Sequence, residues 1–416
     1  MSTKSFEYLE ENCYFDTACQ SLRPKSVIEA ELSYYTSSNS CAGRGNYPWA
    51  KKVDAKIDQV RRQILDFVGK GDDYSVVFGQ NTTMNINLIL HNLNPENISQ
   101  VVTSEKEHNS VLLPAMSFAR RFGKKLNIIE RDELETPNLN QMGRKGGLLM
   151  LQTTSNLDGS SIVNLPEVVN FAKKMGNLVM LDGTQSLAHH NLNFCDSDFD
   201  VLFGSAHKMY GPSLGFMVIK KDLILNLEQT WVGGGSVQSA SFEGWELIKI
   251  KEELHSRLEL GLQDYAAIFG FGESLNWLNN YKVKNEYDKV SYQAPIVDKI
   301  SKSLIHHGSN GEAIDYINSL SELLFYNLGK MQNNGIIKLL NQKPSPTVSF
   351  VAKNISSYEL TQKLGLKNIM CRSGFMCSHP YIRENLQSGP LVRVSLGLNN
   401  TPKDIAKLLI NLEELL

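Results

Sequence analysis

Residues 200–219 read DVLFGSAHKMYGPSLGFMVI, and this stretch decides the fold. Its two apolar runs, Val201–Phe203 and Gly215–Ile219, have the length and composition of buried strands. Between them Gly211-Pro212 is a turn signal, so we predict that Lys208 lies on a short loop at a strand end. A lysine amine that is desolvated in such a place has a lowered pKa, which a Schiff-base lysine requires.

Apolar runs of this kind recur upstream and alternate with helical patterns. The predicted strands are Ser75–Phe78, Ile98–Thr103, Lys125–Ile129, Leu148–Leu151, Leu178–Leu181, Val201–Gly204 and Phe216–Ile219. The predicted helices are Ser26–Thr36, a helical pattern from Val53 to Phe67 that stops at Gly69, Thr83–His91, Ser110–Arg121 and Pro166–Met175. Alternating strands and helices predict an α/β fold with a mainly parallel, seven-stranded sheet that is covered on both faces.

The pattern changes after a glycine-rich stretch at residues 231–236. We predict largely helical structure over Leu247–Asn280 and Tyr287–Met331, strands at Thr347–Val351 and Leu391–Ser395, and a final helix over Pro402–Leu416. The resulting division has a large domain at residues 25–269 and a smaller α+β domain at residues 270–416. Residues 1–24 form an N-terminal segment that is expected to pack with the small domain.

The bulk composition restricts the classes of partner. The chain has 416 residues, is 42% hydrophobic, and carries 42 basic and 44 acidic side chains for a net charge of −2. The sequence has no basic cluster that would predict binding to nucleic acids or membranes. It also has no apolar run long enough to cross a bilayer. The N-terminus lacks a secretory signal, and six sparse cysteines without a Cys-x-x-Cys pair favour neither disulfides nor a metal site. We therefore expect a cytoplasmic protein that acts on a small molecule.

Four predicted loops that follow strands carry polar side chains, and each has two interpretations. Thr82 and Thr83 either cradle a phosphate at a helix N-terminus, or the loop simply provides an N-cap through Asn81 or Thr82. His108 either stacks on a flat ring and moves protons or is a surface histidine. Asn156 is either a donor to a bound oxygen or part of an ordinary turn. Asp182 ends an apolar strand, where it either pairs with a protonated pyridine nitrogen or is a helix N-cap or a surface aspartate.

A single binding site can explain the four loops and Lys208 together. They supply a phosphate cradle, a ring stacker, an oxygen donor, a pyridinium partner and a Schiff-base lysine. Ligands of parallel sheets gather at the carboxyl ends of the strands, which is where all of these groups are predicted to lie. One pyridoxal phosphate site explains them better than five separate coincidences.

The pattern resembles the class V aminotransferase family of fold type I pyridoxal phosphate enzymes, and within it the cysteine desulfurase and selenocysteine lyase branch. The most specific matches are the stretches DGTQ at residues 182–185 and SAHKMYGP at residues 205–212. The resemblance implies that Asp182 pairs with the ring nitrogen and that Gln185 bonds the ring oxygen. It also implies phosphate contacts from Thr82, Thr83, Ser205 and His207, ring stacking by His108, and an Asn156 side chain near cofactor and substrate.

The C-terminal part carries two further matches to that branch. Residues 372–377, RSGFMC, resemble its Arg-x-Gly-x-x-Cys loop, in which the cysteine thiolate attacks the substrate sulfur. Arg393 matches the arginine that binds the substrate carboxylate, a task suited to its planar fork of donors, and Arg372 is expected to assist. The resemblance thus implies removal of sulfur or selenium from L-cysteine or L-selenocysteine, which yields alanine and a persulfide on Cys377. The alternatives are a buried structural Cys377 and a surface ion pair at Arg393.

Two departures from the family pattern leave parts of this interpretation open. Phe375 and Met376 stand where the family has paired histidines, and Leu262 replaces a threonine that reaches the phosphate of the partner subunit. The resemblance also implies a homodimer and a sulfur-acceptor protein as a partner. The alternatives are another reaction of the same cofactor, namely transamination, C–S β-elimination or epimerisation, and a non-catalytic regulatory homologue.

Overall fold

The structure is a computed structural model that describes residues 3–43, 45–135, 145–189, 192–281 and 311–416. Within these residues a seven-stranded sheet has the order β2-β8-β7-β6-β5-β3-β4. Its strands are β2 (Tyr74–Gly79), β3 (Gln100–Ser104), β4 (Lys125–Ile129), β5 (Leu148–Gln152), β6 (Leu178–Asp182), β7 (Val201–Ser205) and β8 (Gly215–Lys220). Only β8 runs antiparallel to its two neighbours in this sheet. The seven predicted strands and the mainly parallel α/β fold are therefore confirmed.

Helices cover this sheet and connect its strands. They are α1 (Lys25–Ser37), α2 (Pro48–Val68), α3 (Thr82–Asn92), α4 (Asn109–Arg121), α5 (Leu165–Lys174), α6 (Ser186–His189), α7 (Lys221–Asn226) and α8 (Tyr265–Asn279). The predicted stop of α2 at Gly69 is confirmed, since this residue has the left-handed φ of 66° that favours glycine. The predicted helices between Ser26 and Met175 are confirmed to within a few residues.

The sheet divides the core of this region into two layers. Val76 and Phe78 of β2 belong to one buried cluster, and Val77 between them belongs to the other. Successive side chains of a strand point to opposite faces, so both faces of β2 are packed. This double burial explains why the strands are continuous apolar runs in the sequence.

A second, antiparallel sheet lies in the C-terminal part and has the order β11-β12-β15-β14. Its elements and their neighbours are β11 (Ile337–Leu339), β12 (Thr347–Ala352), β13 (Ile369–Met370), β14 (Arg372–Gly374), β15 (Leu391–Ser395), α9 (Gly311–Asn333), α10 (Ser357–Gly365) and α11 (Pro402–Leu415). The predicted strands β12 and β15 and the final helix are confirmed. The short strand β1 (Cys13–Tyr14) pairs in parallel with β13, which joins the N-terminal segment to this part. The division at residues 24 and 269 remains a prediction.

The predicted helical stretch Leu247–Asn280 is wrong in its first half. A hairpin of β9 (Val237–Ser241) and β10 (Gly244–Leu247) precedes a 3₁₀ helix at Lys251–Arg257, and only α8 of this stretch is α-helical. The buried Arg257 side chain donates a hydrogen bond from Nε to the Ile248 carbonyl, which satisfies both groups within this irregular segment. Of the predicted helix Tyr287–Met331, residues 287–310 lie outside the described residues and the remainder is α9. No helix in the described ranges is both long and apolar enough to cross a membrane.

Candidate active site

A cavity of about 250 Å³ lies at the carboxyl ends of the parallel strands. Every site residue predicted from the sequence contributes to its lining. The lining residues are Ala18, Cys19, Asn81, Thr82, Thr83, His108, Ser110, Gln152, Asn156, Asp182, Thr184, Gln185, Ser205, His207, Lys208, Arg372, Met376, Cys377 and Arg393. The fold thus brings together residues that are up to 375 positions apart, from Ala18 to Arg393.

Lys208 ends a single 3₁₀ turn, Ala206–Lys208, that directly follows β7. The turn is closed by a hydrogen bond from the Met209 N–H to the Ala206 carbonyl at 2.8 Å, and the Gly211 N–H donates to the same carbonyl at 2.9 Å. Burial lowers the pKa of the Lys208 ammonium group, and the nearby Arg393 lowers it further, whereas the Asp182 carboxylate opposes this shift. A lowered pKa increases the fraction of free amine, the form that is nucleophilic and can accept a proton.

Asp182 is the last residue of β6 and is only 5% exposed. Its Oδ1 accepts a hydrogen bond from the Thr184 N–H at 2.9 Å. Burial raises the pKa of its carboxyl group, while the bonds from Thr184 and the charge on Lys208 act in the opposite direction. A carboxylate in such a place is stabilised by a cationic partner, so it suits a protonated ring nitrogen.

Three hydroxyl groups form a buried chain at the N-terminus of α3. Thr82 Oγ1 lies 3.0 Å from Thr184 Oγ1 and 2.8 Å from Ser205 Oγ. The helix is capped by Asn81, whose side chain accepts from the Met84 N–H, so capping does not require the Thr82 and Thr83 hydroxyls. Hydroxyls and backbone N–H groups at a helix N-terminus form an anion site of the kind that binds phosphate.

The two histidines of the cavity are both held in the neutral form by burial. His108 caps α4, and its Nδ1 accepts a hydrogen bond from the Ser110 N–H at 3.0 Å, which leaves the ring proton on Nε2. Burial lowers the pKa of His108 to about 3, with smaller contributions from Lys208 and Arg393. Burial likewise lowers the pKa of His207 to about 4.

Gln185 and the N-terminal segment are connected directly. The Gln185 side chain donates a hydrogen bond from Nε2 to the Ala18 carbonyl at 2.8 Å, and one amide hydrogen remains for other partners. The Ser21 N–H and hydroxyl both donate to the His207 carbonyl at 2.9 Å. Ala18 and Cys19 of this segment therefore line the cavity, and Ser21 holds the turn that carries Lys208.

Two guanidinium groups share one carboxylate at the far end of the cavity. Arg393 is 3% exposed and donates to Asp16 Oδ1 at 3.2 Å and to the Asn156 carbonyl at 3.0 Å. Arg372 donates to Asp16 Oδ2 through Nε at 3.0 Å and through Nη2 at 2.8 Å. The Arg393 Nε is buried without a partner. Arg393 is therefore no surface ion pair, and the excess positive charge suits the carboxylate of a bound amino acid.

Cys377 lies on an exposed turn at the cavity edge. Met376 and Cys377 have left-handed φ values of 46° and 55°, which cost non-glycine residues about 1 kcal/mol each. The turn is held by hydrogen bonds from Asn156 Nδ2 to the Met376 carbonyl at 2.6 Å and from the Asn109 N–H to the Cys377 carbonyl at 2.7 Å. The alternative of a buried structural cysteine is wrong, because the thiol borders both cavity and solvent.

Sequence reasoning missed several residues of this cavity. Thr184 could have been found, because its hydroxyl lies between two assigned residues of the stretch DGTQ. Asp16 gave no local signal, since its two arginine partners are 356 and 377 positions away in the chain. Cys19, a second cysteine of the lining, looks like an ordinary turn residue in the sequence. Leu262, at the position where the resemblance implies a threonine, is 71% exposed.

The residues of the cavity fit pyridoxal phosphate. The hydroxyl chain at α3 offers donors to a phosphate, and the buried Asp182 offers a carboxylate to a ring nitrogen. Lys208 lies in the same cavity with a lowered amine pKa, as covalent attachment to an aldehyde requires. The described residues therefore provide a partner for each end of the cofactor.

Comparisons with known proteins agree with this geometry. The family model of Aminotransferase class-V matches residues 13–302 and 302–408. A probable cysteine desulfurase from Borreliella burgdorferi is 25% identical over 97% of this chain and 91% of its own length.

Two solved structures have the same fold. An apo cysteine desulfurase from Thermococcus onnurineus NA1 has a TM-score of 0.83 at 24% identity and covers 100% of this chain and 97% of its own. The cystine C–S lyase C-DES, in complex with its reaction product cysteine persulfide, has a TM-score of 0.75 at 18% identity and covers 98% of both chains. At these identities the likeness establishes the fold and leaves the reaction to be argued from the site.

Proposed function

The chain belongs to the Aminotransferase class-V family, and we propose that it is a pyridoxal phosphate-dependent cysteine desulfurase. It converts L-cysteine, or L-selenocysteine, to alanine and retains the sulfur as a persulfide on Cys377. The observation that carries this proposal is that Cys377 lines the same cavity as Lys208, Asp182 and Arg393. A relative named as a probable cysteine desulfurase, which matches almost the whole chain, supports it.

The cofactor would be held at both of its ends. Thr82, Ser205 and His207 are the residues for the phosphate, and Asp182 and Gln185 are those for the ring. When bound, the cofactor accepts the electrons of the substrate Cα–H bond. Lys208 Nζ, whose pKa is lowered, is the group that binds the cofactor and later takes the Cα proton.

The substrate would be oriented from the opposite end of the cavity. Arg393 and Arg372 bind its carboxylate, and Asp16 fixes both guanidinium groups in place. Cys377 Sγ then attacks the substrate sulfur as a thiolate. The Sγ–S bond forms as the Cβ–S bond breaks, and protons return to the substrate carbons, so cysteine and a thiol become alanine and a persulfide without an external oxidant.

A C–S lyase is the second candidate, because the lyase C-DES has the same fold. A lyase leaves the sulfur on a small product and therefore requires no thiol on the enzyme. The presence of Cys377 in the cavity lining favours the desulfurase. A regulatory homologue without activity is less compatible with a cavity that retains Lys208, Asp182 and Arg393 together.

The decisive experiment is incubation of the purified protein with L-cysteine, with alanine, pyruvate and sulfide assayed separately. We expect alanine, together with one added sulfur atom on the peptide that contains Cys377. Pyruvate and ammonia in place of alanine would identify a lyase instead. A colourless protein that forms none of these products would identify a non-catalytic homologue.

We further propose a cytoplasmic homodimer. Large apolar side chains on the described surface, among them Phe242, Trp245 and Leu262, would become buried in such an assembly. Leu262 has no hydroxyl for a phosphate of the partner subunit, so any contact across the dimer requires other groups. Light scattering measures the assembly directly, and a fully active monomer would contradict the proposal.

A further inference from the structure

Asn109 connects the Cys377 turn to a histidine that the proposed function does not use. The Asn109 N–H donates to the Cys377 carbonyl at 2.7 Å, and its side-chain Nδ2 lies 3.3 Å from Nδ1 of His379. His379 follows Cys377 by two residues, and one asparagine thus binds both ends of this short segment. The imidazole is therefore fixed beside the reactive turn instead of rotating freely in solvent.

The His379 ring has a second support. It stacks on Phe375 with a centroid distance of 4.9 Å and an interplanar angle of 18°. Phe375 stands where the resemblance would place a histidine, and its ring here provides a flat surface for His379. The Arg383 guanidinium lies 4.8 Å from the centroid of the same Phe375 ring.

His379 lies on the solvent side of the turn. The active-site cavity is lined by Cys377 and His108, and His379 is outside the described residues that line it. Both Cys377 and His379 are exposed. Cys377 also borders a second, open cavity of about 500 Å³ that it shares with Asn109 and Leu113, among others. Cys377 therefore borders the active-site cavity and also a second cavity that is open to solvent.

We propose that His379 transfers protons for Cys377 when the persulfide sulfur passes to a thiol acceptor, an inference that rests on the proposed function. The acceptor loses its S–H proton to His379, and its sulfur attacks the outer sulfur of the persulfide. The S–S bond to Cys377 breaks, and the departing Cys377 sulfur takes the proton from His379. The acceptor leaves as a persulfide and Cys377 returns as a thiol, so atoms and electrons balance.

The Asn109 amide can stabilise both charge states of the His379 ring. In the present orientation Nδ2 donates to an unprotonated Nδ1, while Oδ1 is buried without a partner. A rotation of the amide presents Oδ1 to a protonated Nδ1–H. A side chain that can pair with neutral and with protonated imidazole is well suited to a residue that cycles between them.

Three charged or titratable side chains belong to the segments that neighbour His379. Cys377 is on its own turn, Arg383 lies on Phe375, and the neutral His108 precedes Asn109. Transfer of the acceptor proton requires an unprotonated His379 ring. The inference therefore predicts a pH dependence for sulfur release that is separate from that of alanine formation.

The test measures discharge of a persulfide that has been loaded on the holoenzyme with L-cysteine. Two reductants are compared: 2-mercaptoethanol, which must lose a proton, and a water-soluble phosphine, which has none to lose. His379→Phe keeps a flat ring on Phe375 but cannot carry a proton. His91→Gln is the matched control, since His91 is an exposed histidine at the end of α3.

We expect His379→Phe to slow discharge by the thiol by about 100-fold, the lower range for general acid–base catalysis, and to leave discharge by the phosphine unchanged. His91→Gln should behave as the wild type with both reductants. Asn109→Asp should raise the pH midpoint of thiol discharge, because a carboxylate favours the imidazolium.

The inference would be overturned if 2-mercaptoethanol discharged the persulfide at the same rate in the wild type and in His379→Phe. It would also be overturned if the variant slowed discharge by the phosphine as much as discharge by the thiol. The latter result would indicate that the ring only supports the turn. A wild type that never acquires a persulfide would instead refute the desulfurase function itself. The two failures are therefore distinguishable in the same experiment.

Discussion

Lys208 and Asp182 stand at the ends of neighbouring strands of one sheet, whereas Cys377 lies on an exposed turn held by Asn109 and Asn156. The region around Lys208 and Asp182, the cofactor end, is built from adjacent strands that are buried on both faces, and its polar side chains form hydrogen bonds with one another. The region around Cys377, the sulfur end, contains residues with left-handed backbone conformation. It depends on side chains more than 200 positions away in the chain. Under the proposed function, cofactor binding depends on the fold of the sheet, whereas the sulfur chemistry depends on individual long-range contacts. We expect mutations at the two ends to separate these properties.

The largest effect is expected at the cofactor end. Lys208→Ala should reduce alanine formation by at least about 1,000-fold, because it removes both the attachment point and the proton acceptor. Borohydride reduction of the wild type followed by peptide mapping should place the pyridoxyl group on Lys208. A label on another lysine would refute the assignment, and Lys221→Ala serves as the control.

A large but selective effect is expected at the sulfur end. Cys377→Ser should lower alanine formation from cysteine by about 100-fold or more, since only the thiolate is a competent nucleophile. Binding of the cofactor, followed by its visible absorption, should be retained, and selenocysteine should be turned over better than cysteine. Cys41→Ser is the control, because Cys41 is an exposed cysteine that is not among the residues lining the cavity. Wild-type turnover of cysteine by the Cys377 variant would contradict the desulfurase mechanism.

An intermediate effect is expected between the two ends. Arg393→Ala removes a charge-assisted pair worth about 1.5–3 kcal/mol, so the KM for cysteine should rise by about 10- to 100-fold. Cofactor affinity should change little, because Asp182 and the hydroxyl chain are intact. Arg372→Ala, at an exposed position, should have a smaller effect. If KM and rate remain unchanged in Arg393→Ala, the carboxylate role is excluded.

The smallest effect concerns acid stability of the cofactor end. Burial lowers the pKa of His207 from 6.5 to about 4, so the folded state binds fewer protons than the unfolded state between these values. Stability should be unaffected by this group above pH 6.5 and should fall as the pH drops toward 4. In apoenzyme melting curves, His207→Gln should reduce the loss of melting temperature between pH 7 and 4. An identical loss in both proteins would contradict this prediction.

The sequence predicted the central sheet well because its strands are buried on both faces and leave continuous apolar runs. The hairpin of β9 and β10 was missed because most of its side chains are exposed and provide no alternation. The site residues at strand ends were predictable from polar residues that follow apolar runs. Asp16 and Asn109 could not be identified, because their contacts depend on which distant segments meet in the folded chain.

Asn156 adds a consequence for how the two ends communicate. Its carbonyl accepts from Arg393, and its amide donates to the Met376 carbonyl in the cysteine turn. One residue therefore anchors the Arg393 guanidinium, which we propose binds the substrate carboxylate, and the turn that presents the thiol. If occupancy of the guanidinium shifts this anchor, thermodynamic reciprocity requires that the conformation of the turn change substrate affinity by the same factor. Recognition of the amino acid and presentation of the thiol thus share Asn156 as a common anchor.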